Sequence, residues 1–162
     1  EAKIISLSRQ INDTMPEYVA RWIMEKIKLL TPPYKVTVLG ATYKADVDDM
    51  RESPIIKLID LLEKSDIKVT LVDPHIKDYR NLEKDVYTAV KGSNALILGV
   101  NHQEFKTLQF SVIHSLMKNP IVFDTRNYFD KELLVNLGFE YYLLGEGERL
   151  IKANREAAAV IE

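Results

Sequence analysis

The feature that most constrains this chain is a series of short, continuously apolar segments, each followed by an amphipathic stretch. The apolar segments are 35–40 (KVTVLG), 68–72 (KVTLV), 95–100 (ALILGV), 121–124 (IVFD) and 139–144 (FEYYLL). They are too short for core helices and lack the strict polar alternation of a half-solvated sheet, so each reads as a strand covered on both faces. Between them, 54–62, 82–90, 105–117 and 130–137 carry helical spacing. Ser53 followed by Pro54 marks one helix start, an N-cap oxygen with proline in the first turn, and Asp130 and Gly138 bracket another helix. Strands alternating with helices imply a parallel sheet with right-handed crossovers. The expected fold class is α/β: a doubly wound five-stranded parallel sheet of order 3-2-1-4-5, preceded by an N-terminal helical segment.

That segment covers 1–31. Met15, Tyr18, Val19, Trp22, Ile23, Ile27 and Leu30 recur at three- and four-residue steps, after an earlier helix-like turn of Ile4, Ile5, Leu7 and Ile11. Thr14 and Glu17 fit a capping box with Pro16 in its first turn. Two readings follow: one long helix kinked near Asn12 and Pro16, or two helices. Pro32 and Pro33 end the pattern. The stripe either caps the core or forms half of an interface. The tail, 146–162, is charged and then alanine-rich, and reads as a loose helix.

Composition removes several classes of function. The chain has 162 residues, 22 basic against 24 acidic side chains, and no cysteine. That length suits roughly one domain with its own core. Without cysteine there is no disulfide scaffold, thiolate metal site or thiol nucleophile, which fits a reducing cytoplasm. Balanced charge argues against a nucleic-acid partner. No apolar run approaches the roughly 18 residues that span a membrane, and no signal-peptide pattern opens the chain. The start at Glu1 instead of methionine is read as a sign that something upstream has been removed.

In an open parallel sheet a ligand sits beyond the carboxyl ends of the strands at the switch point, here expected between the first and fourth strands. This selects two loops: 40–54 (GATYKADVDDMRESP) and the one opening at Asp124 (DTRNYF). They carry Lys44, Arg51 and Arg126, and three cations converging on a helix N-terminus make an anion site, most naturally for phosphate. Tyr43 is placed to stack on a base or sugar. Plainer roles exist: Arg51 pairing with Asp48 or Asp49 to order its own loop, and Lys44 solvated. His102, just past the third strand, either supports the site or caps the next helix. Asp73 stands where a ribose-binding acid would, but Pro74 after it favours a turn. The loop is neither G-x-G-x-x-G nor a Walker loop. His75 and His114 have no histidine or acidic partner at metal-ligand spacing, so no metal site is expected. Arg80, Arg149 and Arg155 read as surface charges.

Residues 40–54 resemble the signature of the UDP-binding, C-terminal domain of nucleotide-sugar 6-dehydrogenases, the UDP-glucose/GDP-mannose dehydrogenase family. The resemblance continues at I-N-D-T-M-P (11–16), V-D-P (72–74), V-N-H-Q-E-F-K (100–106), F-D-T-R-N (123–127), G-F-E-Y-Y (138–142) and G-E-G-E-R (145–149). It implies a Rossmann-like domain over 35–145, with 1–31 as the end of a central dimerisation helix region and 146–162 as a tail. It implies oxidation of a sugar 6-hydroxyl to a carboxylate in two NAD-dependent steps, with NAD held by an N-terminal domain outside this chain. Tyr43, Lys44 and Arg126 then match UDP-sugar contacts, with Arg51, Asp124 and His102 in support. The D-V-D-D-M-R-E-S-P form and the N-H-Q-E-F-K segment look nearest to members acting on UDP-N-acetylmannosamine, although Asn101 replaces an aspartate common there. The family's catalytic cysteine is absent, so the resemblance implies a part that does not complete the reaction alone. The implied partners are a UDP-sugar, the NAD domain and a second copy in a homodimer or higher homo-oligomer. The alternative is a helix-mediated dimerisation module with no ligand. A signalling receiver domain fails, because no acidic pair follows the first strand and Asn101 follows the third.

Overall fold

The computed structural model describes residues 2–146. Its elements are α1 (Ala2–Ile27), β1 (Tyr34–Leu39), α2 (Pro54–Glu63), β2 (Ile67–Val72), α3 (Val86–Val90), β3 (Ala95–Leu98), a 3₁₀ turn (Gln103–Thr107), α4 (Phe110–Leu116), β4 (Ile121–Asp124), α5 (Lys131–Asn136) and β5 (Glu140–Leu143). The five expected strands are present and all parallel. Ser53 caps α2 by accepting from the Ile55 N–H, and Asp130 caps α5 by accepting from the Leu133 N–H. The expected helices at 82–90 and 105–117 are shorter: α3 starts behind the Asp85 cap, and the second divides into the 3₁₀ turn and α4. The tail helix and Arg149 and Arg155 lie outside the described residues.

The strand order is β2-β1-β3-β4-β5, which corrects the expected 3-2-1-4-5. The reason lies in the face on which α3 packs. Alternate residues of β1 face opposite sides: Val36 and Val38 join the cluster with α1 and α2, whereas Leu39 joins the cluster with α3, α4 and α5. Thr37, on the second side, donates its hydroxyl to the Ala89 carbonyl at 3.0 Å, and the Lys35 Nζ donates to Ala89 and Lys91 carbonyls at 2.8 and 2.7 Å. The C-terminus of α3 is therefore fixed over β1 on the face opposite α2. A right-handed crossover on the opposite face reverses the direction of sheet growth, so β3 lands on the free side of β1 instead of beyond β2. β2 becomes an edge strand, and Lys68 on it is exposed.

The N-terminal segment is one helix that runs through Pro16. The expected capping box does not form: the Thr14 hydroxyl donates back to the Ile11 carbonyl at 3.0 Å, a bond internal to the helix. From Met15 onward the helix caps the core; Val19, Ala20, Ile23 and Ile27 are buried, although Tyr18 is exposed. Trp22 meets Phe123 edge-on at 4.9 Å and Tyr142 at 6.3 Å, covering the β4–β5 end of the face that α2 leaves bare. Such edge-to-face pairs add about 0.5–1.5 kcal/mol each beyond burial. The earlier half of α1 projects away, with Ile4, Ile5, Leu7 and Ile11 more than half exposed.

The backbones meet most closely where β1 and β3 end. Gly40 has φ +80, and a Cβ there would lie 2.7 Å from the Val100 carbonyl oxygen; a Cβ on Gly99 would lie 2.5 Å from the Gly40 oxygen. Gly40→Ala should therefore cost about 2–4 kcal/mol, combining left-handed strain with a backbone clash. Gly92→Ala, at φ +69 in open space, should cost about 1 kcal/mol. Urea unfolding of the two variants compares them directly.

Candidate functional site

The corrected order moves the switch point to between β1 and β3, so the 40–53 loop after β1 is flanked by the loops after β2 and β3. Asp73, ending β2, and His102, following β3, close on it from both sides. The Asp73 carboxylate accepts from the Ala41 N–H at 2.7 Å, from the His75 N–H at 2.9 Å and from His102 Nε2 at 3.0 Å. The His102 Nδ1 accepts from the Asp46 N–H at 2.9 Å, which leaves its proton on Nε2 facing Asp73. Thr42 Oγ lies 3.3 Å from the same Nε2. Burial opposes the charge on Asp73, but the bonds from His102, Ala41 and His75 outweigh it and hold the carboxyl below its usual value.

The loop then orders itself. The Tyr43 N–H donates to the Asp49 carbonyl at 2.7 Å, and the Thr42 hydroxyl donates to the Lys44 carbonyl at 2.7 Å. Arg51 makes two side-chain bonds to Asp49, at 2.9 and 2.8 Å. That fork pulls the Asp49 carboxyl down to about 2. This is the pairing of the plainer reading; it uses Nε and one terminal nitrogen of Arg51, and the side chain stays exposed. The ordered loop presents Tyr43, half exposed, and Lys44, whose Nζ lies 5.7 Å from the Tyr43 ring centroid.

Asp124 builds the second loop. It is fully buried and accepts from the N–H groups of Arg126 (2.8 Å), Tyr128 and Phe129 (2.9 Å each) and from the Tyr141 hydroxyl (2.8 Å). Burial, then the Asp124 bond, pushes the Tyr141 hydroxyl well above its usual value, so it remains a donor. Arg126 is exposed, and its Nε donates to the Gly99 carbonyl at 2.9 Å. The Tyr128 hydroxyl donates to the His102 carbonyl at 3.1 Å, joining the two loops.

His102 has no exposed surface and caps nothing with its side chain, so it supports the loops from beneath. Asp73 acts as the turn former that Pro74 suggested. The residues do not fit NAD: Val100 crowds the only loop glycine, and the carboxylate in the ribose-binding place is buried and committed to three donors. Spacing along the chain missed one constellation. His75 Nε2 lies 3.2 Å from Glu104 Oε1 and 3.8 Å from Asp46 Oδ1, and its ring centroid is 4.6 Å from that of His102. These residues follow three different strands, and only the β2-β1-β3 order brings them together. His114 packs against Phe139 instead. Among the described residues, no helix is long and apolar enough to cross a membrane.

The chain belongs to the UDP-glucose/GDP-mannose dehydrogenase family: the sequence profile of that family's UDP binding domain matches residues 37–131. It is 38% identical over 156 residues to a UDP-N-acetyl-D-mannosamine dehydrogenase of Methanococcus aeolicus, covering 93% of this chain and 35% of that protein. It is 36% identical over 127 residues to a UDP-glucose 6-dehydrogenase of Rickettsia felis, covering 73% and 28%. The crystal structure of a UDP-N-acetyl-mannosamine dehydrogenase from Staphylococcus aureus matches with a TM-score of 0.76 at 40% identity, over 90% of this chain and 34% of that one. The chain thus spans about a third of the length of such relatives.

Because the folded pKa of Asp73 is depressed, its stabilisation is present above the ordinary carboxylate value of 3.8 and fades as pH falls through the lower folded value. Asp73→Asn should cost about 2–3 kcal/mol at pH 7, by loss of charged hydrogen bonds in a buried site. Urea unfolding at a series of pH values should show the gap to the parent protein closing as Asp73 protonates.

Proposed function

We propose that this chain is the UDP-sugar-holding part of an NAD-dependent nucleotide-sugar 6-dehydrogenase whose substrate is UDP-N-acetylmannosamine. The observation that carries the reading is the braced pair of loops at the carboxyl edge of the sheet. One presents Tyr43 and Lys44, and the other presents Arg126 with its Nε tethered to Gly99. Family membership and the names of the similar dehydrogenases support the substrate class. Lys44 and the remaining guanidinium nitrogens of Arg126 bind the diphosphate, and the Tyr43 ring packs on the nucleoside or sugar. Arg51, Asp124 and His102 hold these groups in place. Because the loops are already cross-bonded, little ordering entropy is spent on binding.

The chain holds no cysteine, and its residues do not fit NAD, so both hydride transfers, and the oxidation of the 6-hydroxyl to a carboxylate, belong to groups outside it. In this reading 35–145 is the UDP-binding unit, 1–31 the end of the central helix region and 146–162 a tail. The exposed Ile4, Ile5, Leu7 and Ile11 support assembly with a second copy through α1. A cytoplasmic location is part of this reading.

Calorimetric titration with UDP should give saturable binding. Lys44→Ala and Arg126→Ala should each weaken it at least about tenfold, as expected for loss of a charged contact. Arg51→Ala, which disturbs only an exposed loop pair, should weaken it less. A folded chain that dimerises but shows no heat with UDP would favour the ligand-free dimerisation module instead. Light scattering should show a dimer or larger, and Ile4→Asp combined with Leu7→Asp should give a folded monomer whose thermal transition no longer rises with protein concentration.

A further inference from the structure

We propose that Asp46, His75 and His102 form a binding site for a divalent transition metal of the zinc class, with Glu104 adjoining it. One ligand atom from each of the three residues lies within 4.8 Å of the others. Asp46 Oδ1 is 3.8 Å from His75 Nε2 and 3.7 Å from His102 Nδ1, and Glu104 Oε1 is 3.2 Å from His75 Nε2. Tetrahedral zinc with bonds of about 2.0–2.1 Å sets its ligand atoms about 3.4 Å apart; the two Asp46 distances, 3.8 and 3.7 Å, exceed this by a few tenths of an ångström, and the three ligand atoms, all within 4.8 Å of one another, close on the ion by side-chain rotation. The donors, two imidazoles and a carboxylate, suit zinc-class ions better than magnesium or calcium.

Two features distinguish this cluster from ordinary surface charge. The His75 Nε2 atom is buried and has no hydrogen-bond partner among the described residues. Asp73 also bonds the far nitrogen of His102, leaving the Nδ1 lone pair on the side of Asp46. A carboxylate on the second nitrogen is the arrangement that fixes tautomer and ring orientation in metal-ligating histidines. On coordination, His102 Nδ1 exchanges the Asp46 N–H for the metal. Because Asp46, His75 and His102 follow β1, β2 and β3, the ion fastens together the three loops around the switch point. The competing account is His75 paired with Asp46 and Glu104 with no metal.

Tag-free protein, stripped with chelator, is titrated with Co²⁺ and then Zn²⁺. One equivalent of Co²⁺ should produce a visible d–d band that one equivalent of Zn²⁺ removes, and Zn²⁺ should raise the thermal transition. His75→Ala and Asp46→Asn should each weaken Zn²⁺ at least about tenfold, since even second-shell losses cost that much. Asn tolerates the φ of 59° at Asp46. His114→Ala should change nothing. Absence of the band in the parent protein, or Zn²⁺ affinity unchanged in both folded His75→Ala and Asp46→Asn, overturns the site and leaves the metal-free contacts of His75 with Asp46 and Glu104.

Discussion

The carboxylate of Asp73 is the interaction on which the rest of the site depends. It is 3% exposed, and it gathers an N–H from the start of the β1 loop, an N–H from its own turn and the imidazole of His102. A buried charge of this kind is costly unless every lone pair is used, and here three donors from three segments use it. Through His102 the same network reaches the Asp46 N–H, and through the His102 carbonyl it reaches Tyr128 and the loop after β4. Four loops at one edge of the sheet are thereby held by polar contacts, with the apolar layers lying to either side.

That network exists only because β1 lies between β2 and β3. Had α3 packed on the same face as α2, the sheet would have grown outward past β2, and the ends of β2 and β3 would not have bracketed the loop after β1. The Thr37 hydroxyl and the Lys35 ammonium, bonded to the last carbonyls of α3, secure the alternative. Two polar residues of β1 therefore hold the helix whose face sets strand order, and strand order then fixes which loops meet.

The strands, the Ser53 and Asp130 caps and the two loops that present cations are legible in the sequence, because local chemistry alone decides them: apolar runs, a side-chain oxygen before a helix, a glycine after it. Strand order is not, since it turns on the face chosen by a five-residue helix with no clear periodicity. Nor are the neighbours of His75 legible from spacing along the chain, since they lie beyond other strands. Thr14 failed for a different reason. A Thr-x-x-Glu pattern with proline is a fair start signal, but the helix was already under way from Ala2, and the hydroxyl found an internal carbonyl. Arg51 and Asp73 show the converse: the plainer local role, loop pairing and turn formation, describes both.

The stripe along 1–31 fits a core cap or an interface; the inner half of α1 is the cap, and the outer half is the part we assign to an interface. Its inner half supplies Val19, Ile23 and Ile27 to the same core as Val36 and Val38, and Trp22 seals Phe123 and Tyr142. Pro16 stands where the helix becomes buried; its missing N–H removes one helical bond, and the packing of the following turns offsets that loss. The outer half has no such packing, and an isolated stretch of its length is marginal as a helix in water. Its apolar residues are therefore costly to leave in solvent, and among the described residues the face beside α2 is already taken by the inner half. In the assembly proposed above a second surface buries them, and the continuous helix links that surface to the Trp22 contact over β4 and β5. From there β4 ends in Asp124, the residue that sets the backbone of Arg126. The proposed assembly through α1 and the geometry of the Arg126 loop would thus share one strand.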